Sequence, residues 1–139
     1  MVHLPSKTSG GSTDVLPLPA CIDANVLISA LAFGGKPQRV VGRLLAGNFV
    51  SVMGENILAE VRRNATGKLK LPPIQVDLFL EDIRNVSSVY VPTGSMPYIG
   101  HAKDNLVLEV AIIGAAEVLV TGDTKHLLPL SPFRGLLIE

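Results

Sequence analysis

The 139-residue chain lacks tryptophan and contains only four phenylalanines, two tyrosines and one cysteine. The lone Cys21 excludes an intramolecular disulfide and a cysteine-based zinc site, and it is typical of a protein in the reducing cytoplasm. The scarcity of aromatic rings limits any recognition of single-stranded nucleic acid by base stacking. The apolar runs stop well short of the ~20 residues that a membrane-spanning helix needs, so we expect no membrane partner.

The charge is balanced, with twelve basic and twelve acidic residues and a formal net charge of zero. Net charge alone therefore indicates no nucleic-acid partner, although a local basic patch can still bind one. Apolar residues make up 47% of the chain, which is typical of a globular domain. The strongly apolar segments favour a buried parallel sheet, whose strands read as continuous apolar runs.

Residues 1–19 and 20–139 differ in composition. The first segment is rich in Pro, Gly, Ser and Thr and predicts a flexible N-terminal tail, and the second predicts one domain. Within the second segment, short apolar strands such as "FVSVM" alternate with helical segments such as "ANVLISALAF". This alternation predicts an α/β fold with a mainly parallel central sheet and helices on both faces. A further helix is predicted over "PQRVVGRLLAGN", with Pro37 in its first turn, after a break at "GGKP".

Four acidic residues fall where strands end or within helices that follow them. Asp23 and Asp123 end strands, Asp104 opens a helix, and Glu60 lies within the helix after "FVSVM". Because sites in open α/β sheets gather at the carboxyl ends of the strands, we expect these carboxylates at one edge. Carboxylates this close repel one another unless they share a cation, and oxygen ligands suit Mg²⁺ or Mn²⁺. Such an ion can activate water and stabilise the charge of an attack on a phosphodiester.

Three of these acids also have an ordinary structural explanation. Asp23 can cap the helix that begins at Ala24, Asp104 can cap its own helix, and Asp123 can form an Asx-turn. Taken singly, each structural explanation is sufficient. The four carboxylates together favour a metal site, and that inference depends on the predicted topology.

The segments "IDANVLISAL", "ENILAEV", "KDNLVLEVAIIGAAEVLVTGD" and "TKHLL" together resemble the PIN-domain family. The similarity is greatest to the VapC-like ribonucleases, the toxins of prokaryotic toxin–antitoxin modules, and it runs from about Ala20 to Glu139. The resemblance implies a three-layer α/β/α sandwich with a mainly parallel central sheet of about five strands. It also implies a metal-dependent endoribonuclease that cleaves RNA with Mg²⁺ or Mn²⁺ and is controlled by an antitoxin protein.

The same resemblance assigns roles to individual positions. The catalytic and metal-binding acids of the family fall on Asp23, Glu60, Asp104 and Asp123. The asparagine of the first motif and a hydroxyl of the "TGD" motif fall on the supporting residues Asn25 and Thr121.

The sequence departs from the family pattern in three places. His101 stands where relatives carry the first aspartate of "D-P-K-D-N", Gly54 replaces a serine helix cap, and the chain stops at "GLLIE" without a "T-P-x-x-F" segment. His101 can act as a proton shuttle or a metal ligand. We interpret it instead as a solvated loop histidine, because no second histidine is spaced to join it, and His126 as a surface or helix-end residue.

Basic residues and one apolar helix pair suggest binding surfaces. The predicted contacts to RNA phosphates are Lys36, Arg39, Arg43 and Arg62, and a solvated helix face is the alternative for each. The segment "LAFGGKPQRVVGRLLAGNFV" suits a homodimer interface or an antitoxin groove, with core packing as the alternative for most of its residues.

The sequence favours a metal-dependent endoribonuclease acting as a toxin. One alternative is a catalytically weak PIN module that binds RNA or an antitoxin, which the histidine at 101 and the short C-terminus favour. Another is a phosphatase or a DNA-directed nuclease built on a similar acidic site.

Overall fold

The computed structural model describes residues 17–139. Residues 1–16 of the predicted tail lie outside the described residues. The first strand already begins at Pro19, one residue before the predicted start of the domain.

Five strands and five α-helices alternate along the described residues. The strands are β1 (Pro19–Ile22), β2 (Val50–Gly54), β3 (Ser87–Tyr90), β4 (Val118–Val120) and β5 (Leu137–Ile138). The helices are α1 (Ala24–Phe33), α2 (Gly35–Leu45), α3 (Glu55–Gly67), α4 (Pro73–Asn85) and α5 (Ala102–Ile113), with a 3₁₀ turn at Leu128–Leu130. The strands form one sheet in the order β3-β2-β1-β4-β5, and every neighbouring pair is parallel. The predicted α/β/α sandwich with a parallel sheet of five strands is confirmed.

Strands β1 and β4 are apolar along their whole length because helices cover both faces of the sheet. Ala20, Cys21 and Ile22 of β1 are fully buried, and the three residues of β4 are at most 5% exposed. Strand β3 lies at the sheet edge and is only partly buried. There the hydroxyl of Ser87 donates to the hydroxyl of Ser51 on β2 at 2.7 Å, which satisfies a polar side chain inside the sheet.

Helix α2 begins earlier than its sequence suggests. The predicted break at "GGKP" is a single residue, Gly34, whose φ of 75° is accessible to glycine at little cost. Helix α2 then starts at Gly35 and ends at Leu45, so Pro37 lies inside its first turn. A proline is tolerated there because the first amides of a helix have no intrahelical acceptor.

Helix α3 follows β2 without a side-chain cap, as the glycine at position 54 predicted. Packing explains the glycine, since a Cβ at Gly54 would come within 2.7 Å of a methyl of Val110 on α5. Helix α5 therefore packs closely on β2, and this contact places the start of α5 beside the carboxyl ends of β1 and β2. No helix within residues 17–139 is long and apolar enough to cross a membrane.

Candidate metal centre at the carboxyl edge of the sheet

A cavity of about 310 Å³ opens at the carboxyl edge of the central strands. Its lining residues are Asp23, Asn25, Glu60, Lys103, Asp104, Val107 and Asp123. All four predicted acids therefore face one space, although they come from four separate elements of the chain. A second cavity of about 220 Å³ shares Asp23, Glu60 and Lys103 with the first.

Asp23 is the most buried of the four acids, with 7% of its surface exposed. Its Oδ1 accepts the backbone N–H of Ala24 at 2.7 Å, and its Oδ2 accepts the hydroxyl of Thr121 at 2.8 Å. Burial raises the pKa of Asp23, and the negative charges of Glu60 and Asp104 raise it further, against the opposing effect of the two hydrogen bonds. Asp23 is thus both the cap of α1 and a member of the acidic cavity, so the two explanations of this residue are compatible.

Asn25 and Thr121 join the end of β1 to the end of β4. The Oδ1 of Asn25 accepts the N–H of Gly122 at 3.0 Å, and its Nδ2 donates to Asp23 at 3.5 Å. The hydroxyl of Thr121 also accepts the N–H of Asp123 at 3.1 Å. These contacts fix the relative positions of the carboxylates of Asp23 and Asp123.

Glu60 reaches the cavity from α3 and is paired there with a lysine. The Nζ of Lys103, on α5, lies 3.0 Å from Glu60 Oε1. Nothing in the sequence distinguished Lys103 from an ordinary solvated lysine, because the contact depends on how closely α5 approaches α3. The ion pair lowers the net negative charge on this side of the cavity.

Asp104, Asp123 and His126 form a second group of ionisable side chains in the site. Within residues 17–139, only these three bring one ligand atom each within 4.8 Å of one another in a group that could hold a metal ion. Asp104 lies in the first turn of α5 and does not cap it, since the N-cap position is His101. Two of the four predicted acids therefore converge with a histidine, and Asp23 and Glu60 line the cavity beside them.

The two converging aspartates differ in their electrostatics. Burial raises the pKa of Asp104, and the negative charge of Asp123 adds to that effect. Burial also acts to raise the pKa of Asp123, but the backbone N–H groups of His126 and Lys125 donate to its Oδ1 at 2.9 and 3.0 Å. These hydrogen bonds outweigh burial and lower the pKa of Asp123, which forms the Asx-type turn that its sequence allowed.

The prediction that no second histidine joins His101 is wrong. The imidazole rings of His101 and His126 pack with their centroids 3.9 Å apart. The side chain of Asp123 stabilises the turn after β4, and this turn places His126 next to His101 at the start of α5. Only the spacing of His126 three residues after Asp123 hinted at this arrangement, and the approach of the two loops is not visible in the sequence.

None of the predicted RNA-contacting residues lines the acidic cavity. Lys36, Arg39 and Arg43 are exposed along α2, and neither cavity is lined by any of them. Arg62 donates to Asp77 of α4 at 2.9 Å. Its neighbour Arg63 lines the second cavity instead.

The fold and the cavity define the chain as an open α/β protein with an acidic site at the carboxyl edge of a parallel sheet. A family model described as "PIN domain" matches residues 19–125. The chain therefore belongs to the PIN-domain family.

Solved structures give the same fold. A chain of "VapBC2 from Rickettsia felis bound to a DNA fragment from their promoter" superposes with a TM-score of 0.62 at 17% sequence identity, covering 88% of this chain and 98% of that one. At that identity the similarity concerns the fold. A comparison with curated proteins finds no match.

Proposed function

We propose that the chain is a metal-dependent endoribonuclease and the toxin of a toxin–antitoxin pair. PIN domains are generally nucleases, and a toxin–antitoxin complex is among the structures that share this fold. The observation that carries the proposal is the single cavity lined by Asp23, Glu60, Asp104 and Asp123. The reducing cytoplasm, suggested by the lone Cys21, is part of the same proposal.

The donor atoms in the cavity fit a divalent cation. Carboxylate oxygens are the ligands that Mg²⁺ and Mn²⁺ prefer, and the raised pKa values of Asp23 and Asp104 reflect partly buried negative charge that a cation would compensate. When bound, Mg²⁺ or Mn²⁺ supplies the Lewis acidity that activates water and stabilises charge at phosphorus.

The chain's own residues orient the site and the substrate. Asn25 and Thr121 hold the carboxylate of Asp23 in place, and the backbone N–H groups of the following turn hold that of Asp123. Lys103, which pairs with Glu60, provides a cation beside the carboxylates, where a phosphate oxygen of RNA can accept from it.

Exposed surfaces support the proposed partners. Within the segment "LAFGGKPQRVVGRLLAGNFV", Val41 and Leu44 are buried in the core, which agrees with core packing for these two residues. Phe33, however, is 76% exposed, and Leu45 and Val50 are also exposed. Exposed apolar side chains of this size suit a protein partner. The exposed basic side chains of α2 suit RNA phosphates.

RNA cleavage by the Asp23→Asn variant tests the proposal. With Mg²⁺ or Mn²⁺ present, the parent should cleave RNA and the variant should not, because the variant keeps the fold but loses a ligand charge. Single-stranded DNA and a phosphate monoester serve as parallel substrates and separate the ribonuclease from a DNA nuclease and a phosphatase. A variant that cleaves RNA as fast as the parent would refute the role of Asp23.

A catalytically weak PIN module that binds RNA or an antitoxin is the second candidate. The ion pair between Lys103 and Glu60 favours it, because a lysine ammonium already neutralises one carboxylate of the cavity. Calorimetry separates the two candidates, since the weak module would show no Mg²⁺ or Mn²⁺ binding at millimolar ion.

A further inference from the structure

The Nδ1 of His126 lies within ion-pair distance of a carboxylate oxygen of each aspartate. The Nδ1 of His126 lies 3.6 Å from Asp123 Oδ2 and 3.9 Å from Asp104 Oδ2. Both distances are longer than an ordinary N–H···O hydrogen bond, which spans about 2.7 to 3.2 Å. One ligand atom of each of the three residues lies within 4.8 Å of the others, which is close enough for the three to share one ion.

The two separations around His126 are close to the edge lengths of a metal coordination shell. Two ligand atoms bound about 2.1 Å from one ion lie about 3 to 3.5 Å apart in tetrahedral or octahedral geometry. The separations around His126 exceed that range by about half an ångström or less.

Two further contacts orient the side chains of Asp123 and His126. The Oδ1 of Asp123 accepts the backbone N–H groups of Lys125 and His126, which leaves its Oδ2 directed at the imidazole. The ring of His101 packs on the ring of His126 at 3.9 Å between centroids and restricts its orientation. Hydrogen-bonded and packed neighbours of this kind orient ligands in metal sites.

We propose that Asp104, Asp123 and His126 form a mixed carboxylate–imidazole site for a divalent first-row transition ion, such as Co²⁺, Ni²⁺ or Zn²⁺. Imidazole nitrogen suits these ions, whereas Mg²⁺ takes oxygen ligands. The inference rests on the proposed function, since it names the class of ion that this side of the acidic cavity selects. The histidine makes the chain favour such an ion over Mg²⁺.

Calorimetric titration of the whole chain with Co²⁺ and with Mg²⁺ tests the site. Many donor sets bind late transition ions tightly, so the selectivity of the parent alone decides nothing. The informative variant is His126→Ala, which removes a ligand atom, and His101→Ala, which removes only a packing neighbour, should weaken Co²⁺ binding by less. Loss of a supporting neighbour costs about 10- to 100-fold in metal affinity, so His126→Ala should weaken Co²⁺ by at least about tenfold. Its affinity for Mg²⁺ should change by less than about twofold, because that ion keeps its oxygen ligands.

A spectroscopic readout identifies the ligand atom without any assay of activity. In ¹⁵N spectra of the imidazoles with added Zn²⁺, the Nδ1 resonance of His126 should shift in the manner of a metal-bound nitrogen, and those of His101 and His3 should not. The variant His126→Gln, which keeps a polar side chain, should reproduce the loss of Co²⁺ affinity seen in His126→Ala. Circular dichroism confirms that each variant is folded.

The outcomes separate this inference from the proposed function. If His126→Ala binds Co²⁺ as tightly as the parent does, or if His101→Ala loses as much affinity, the mixed site is overturned. RNA cleavage with Mg²⁺ by the same parent would leave the proposed function standing in that case. If the parent binds neither ion and cleaves no RNA, both fail. A shift of the His126 Nδ1 together with a selective loss of Co²⁺ in the variant supports the mixed site.

Discussion

A buried glutamate outside the site offers the sharpest test of how the loop before α5 is held. Glu109 is 2% exposed, and its carboxylate accepts three hydrogen bonds from the loop. The donors are the N–H of Thr93 at 2.6 Å, the hydroxyl of Thr93 at 3.0 Å and the N–H of Gly94 at 3.0 Å. The backbone N–H of Thr93 contributes most to lowering the pKa of Glu109. The substitution Glu109→Gln keeps the size of the side chain and removes its charge.

The expected cost follows from these contacts. A glutamine offers one carbonyl oxygen, so the bonds to Thr93 can persist in weaker, uncharged form. Its amide NH₂ then faces the N–H of Gly94, which is a donor against a donor. Hydrogen bonds to a charged group contribute about 1.5 to 3 kcal/mol, and we expect Glu109→Gln to lower the free energy of unfolding by about that amount at pH 7.

The pH dependence gives the prediction its sign. The folded pKa of Glu109 lies below the unfolded value, so the ionised carboxylate stabilises the fold above the unfolded pKa of about 4.3. That contribution disappears as the pH falls through the folded pKa. Urea unfolding at a series of pH values should therefore show a gap between parent and variant at pH 7 that narrows in acid.

An exposed glutamate provides the control. Glu117 lies on the surface just before β4, and Glu117→Gln should leave the free energy of unfolding within about 0.5 kcal/mol of the parent. The reasoning is refuted if Glu109→Gln is as stable as the parent at pH 7. It is also refuted if the gap stays constant in acid, since the loss would then arise from packing and not from the charge.

Three further predictions follow from the packing and the ion pairs. Gly54→Ser should destabilise the fold by about 1 to 3 kcal/mol, because overpacking against Val110 outweighs the roughly 1 kcal/mol that a serine cap contributes. In urea unfolding, a double-mutant cycle with Val110→Ala should show that the two substitutions are energetically coupled. Cys21 is buried, and burial raises the pKa of its thiol, so a thiol reagent should label it only as fast as the protein unfolds locally or globally. Rapid labelling of the native state would contradict the placement of Cys21 in β1. Arg84→Ala should lower the free energy of unfolding by no more than about 1 kcal/mol, because its ion pair with Glu55 is exposed, despite two hydrogen bonds of 2.6 and 2.8 Å. A larger loss in urea unfolding would show that Arg84 has a role beyond that pair.

Local pattern was enough to predict the elements that bury a regular apolar face. Helix α1 has the bounds of the segment "ANVLISALAF", and the buried strands were visible as apolar runs. The start of α2 was placed too late, because the helix was predicted over "PQRVVGRLLAGN", whereas it begins at Gly35. Propensity does not separate these two possibilities, and the conformation of Gly34 decides between them.

The acidic cavity could be inferred because parallel strands bring their carboxyl ends to one edge. That rule needs only strand order and direction, and it brought Asp23, Asp104 and Asp123 to the same space. The contacts of Lys103 and His126 could not be inferred in the same way. They depend on the conformation of the loop before α5. The carboxylate of Glu109 accepts the N–H groups of Thr93 and Gly94 of this loop, and the side-chain amide of Asn105 bonds to the backbone of Ile99.

Asp23 illustrates why a structural role and a functional role can be tested separately at one residue. Asparagine caps a helix about as well as aspartate does, so Asp23→Asn keeps the N–H of Ala24 satisfied, whereas Asp23→Ala loses about 1 kcal/mol of capping. The raised pKa of Asp23 means that its ionisation costs stability as the pH rises through the folded pKa. Without metal, Asp23→Asn should therefore be at least as stable as the parent at pH 7 in urea. Added Mg²⁺ should then stabilise the parent by about 2.7 kcal/mol at 100 times its Kd and the variant by less. If Asp23→Asn is less stable to urea than the parent without metal, the charge of Asp23 stabilises the fold, and its role is not to bind an ion.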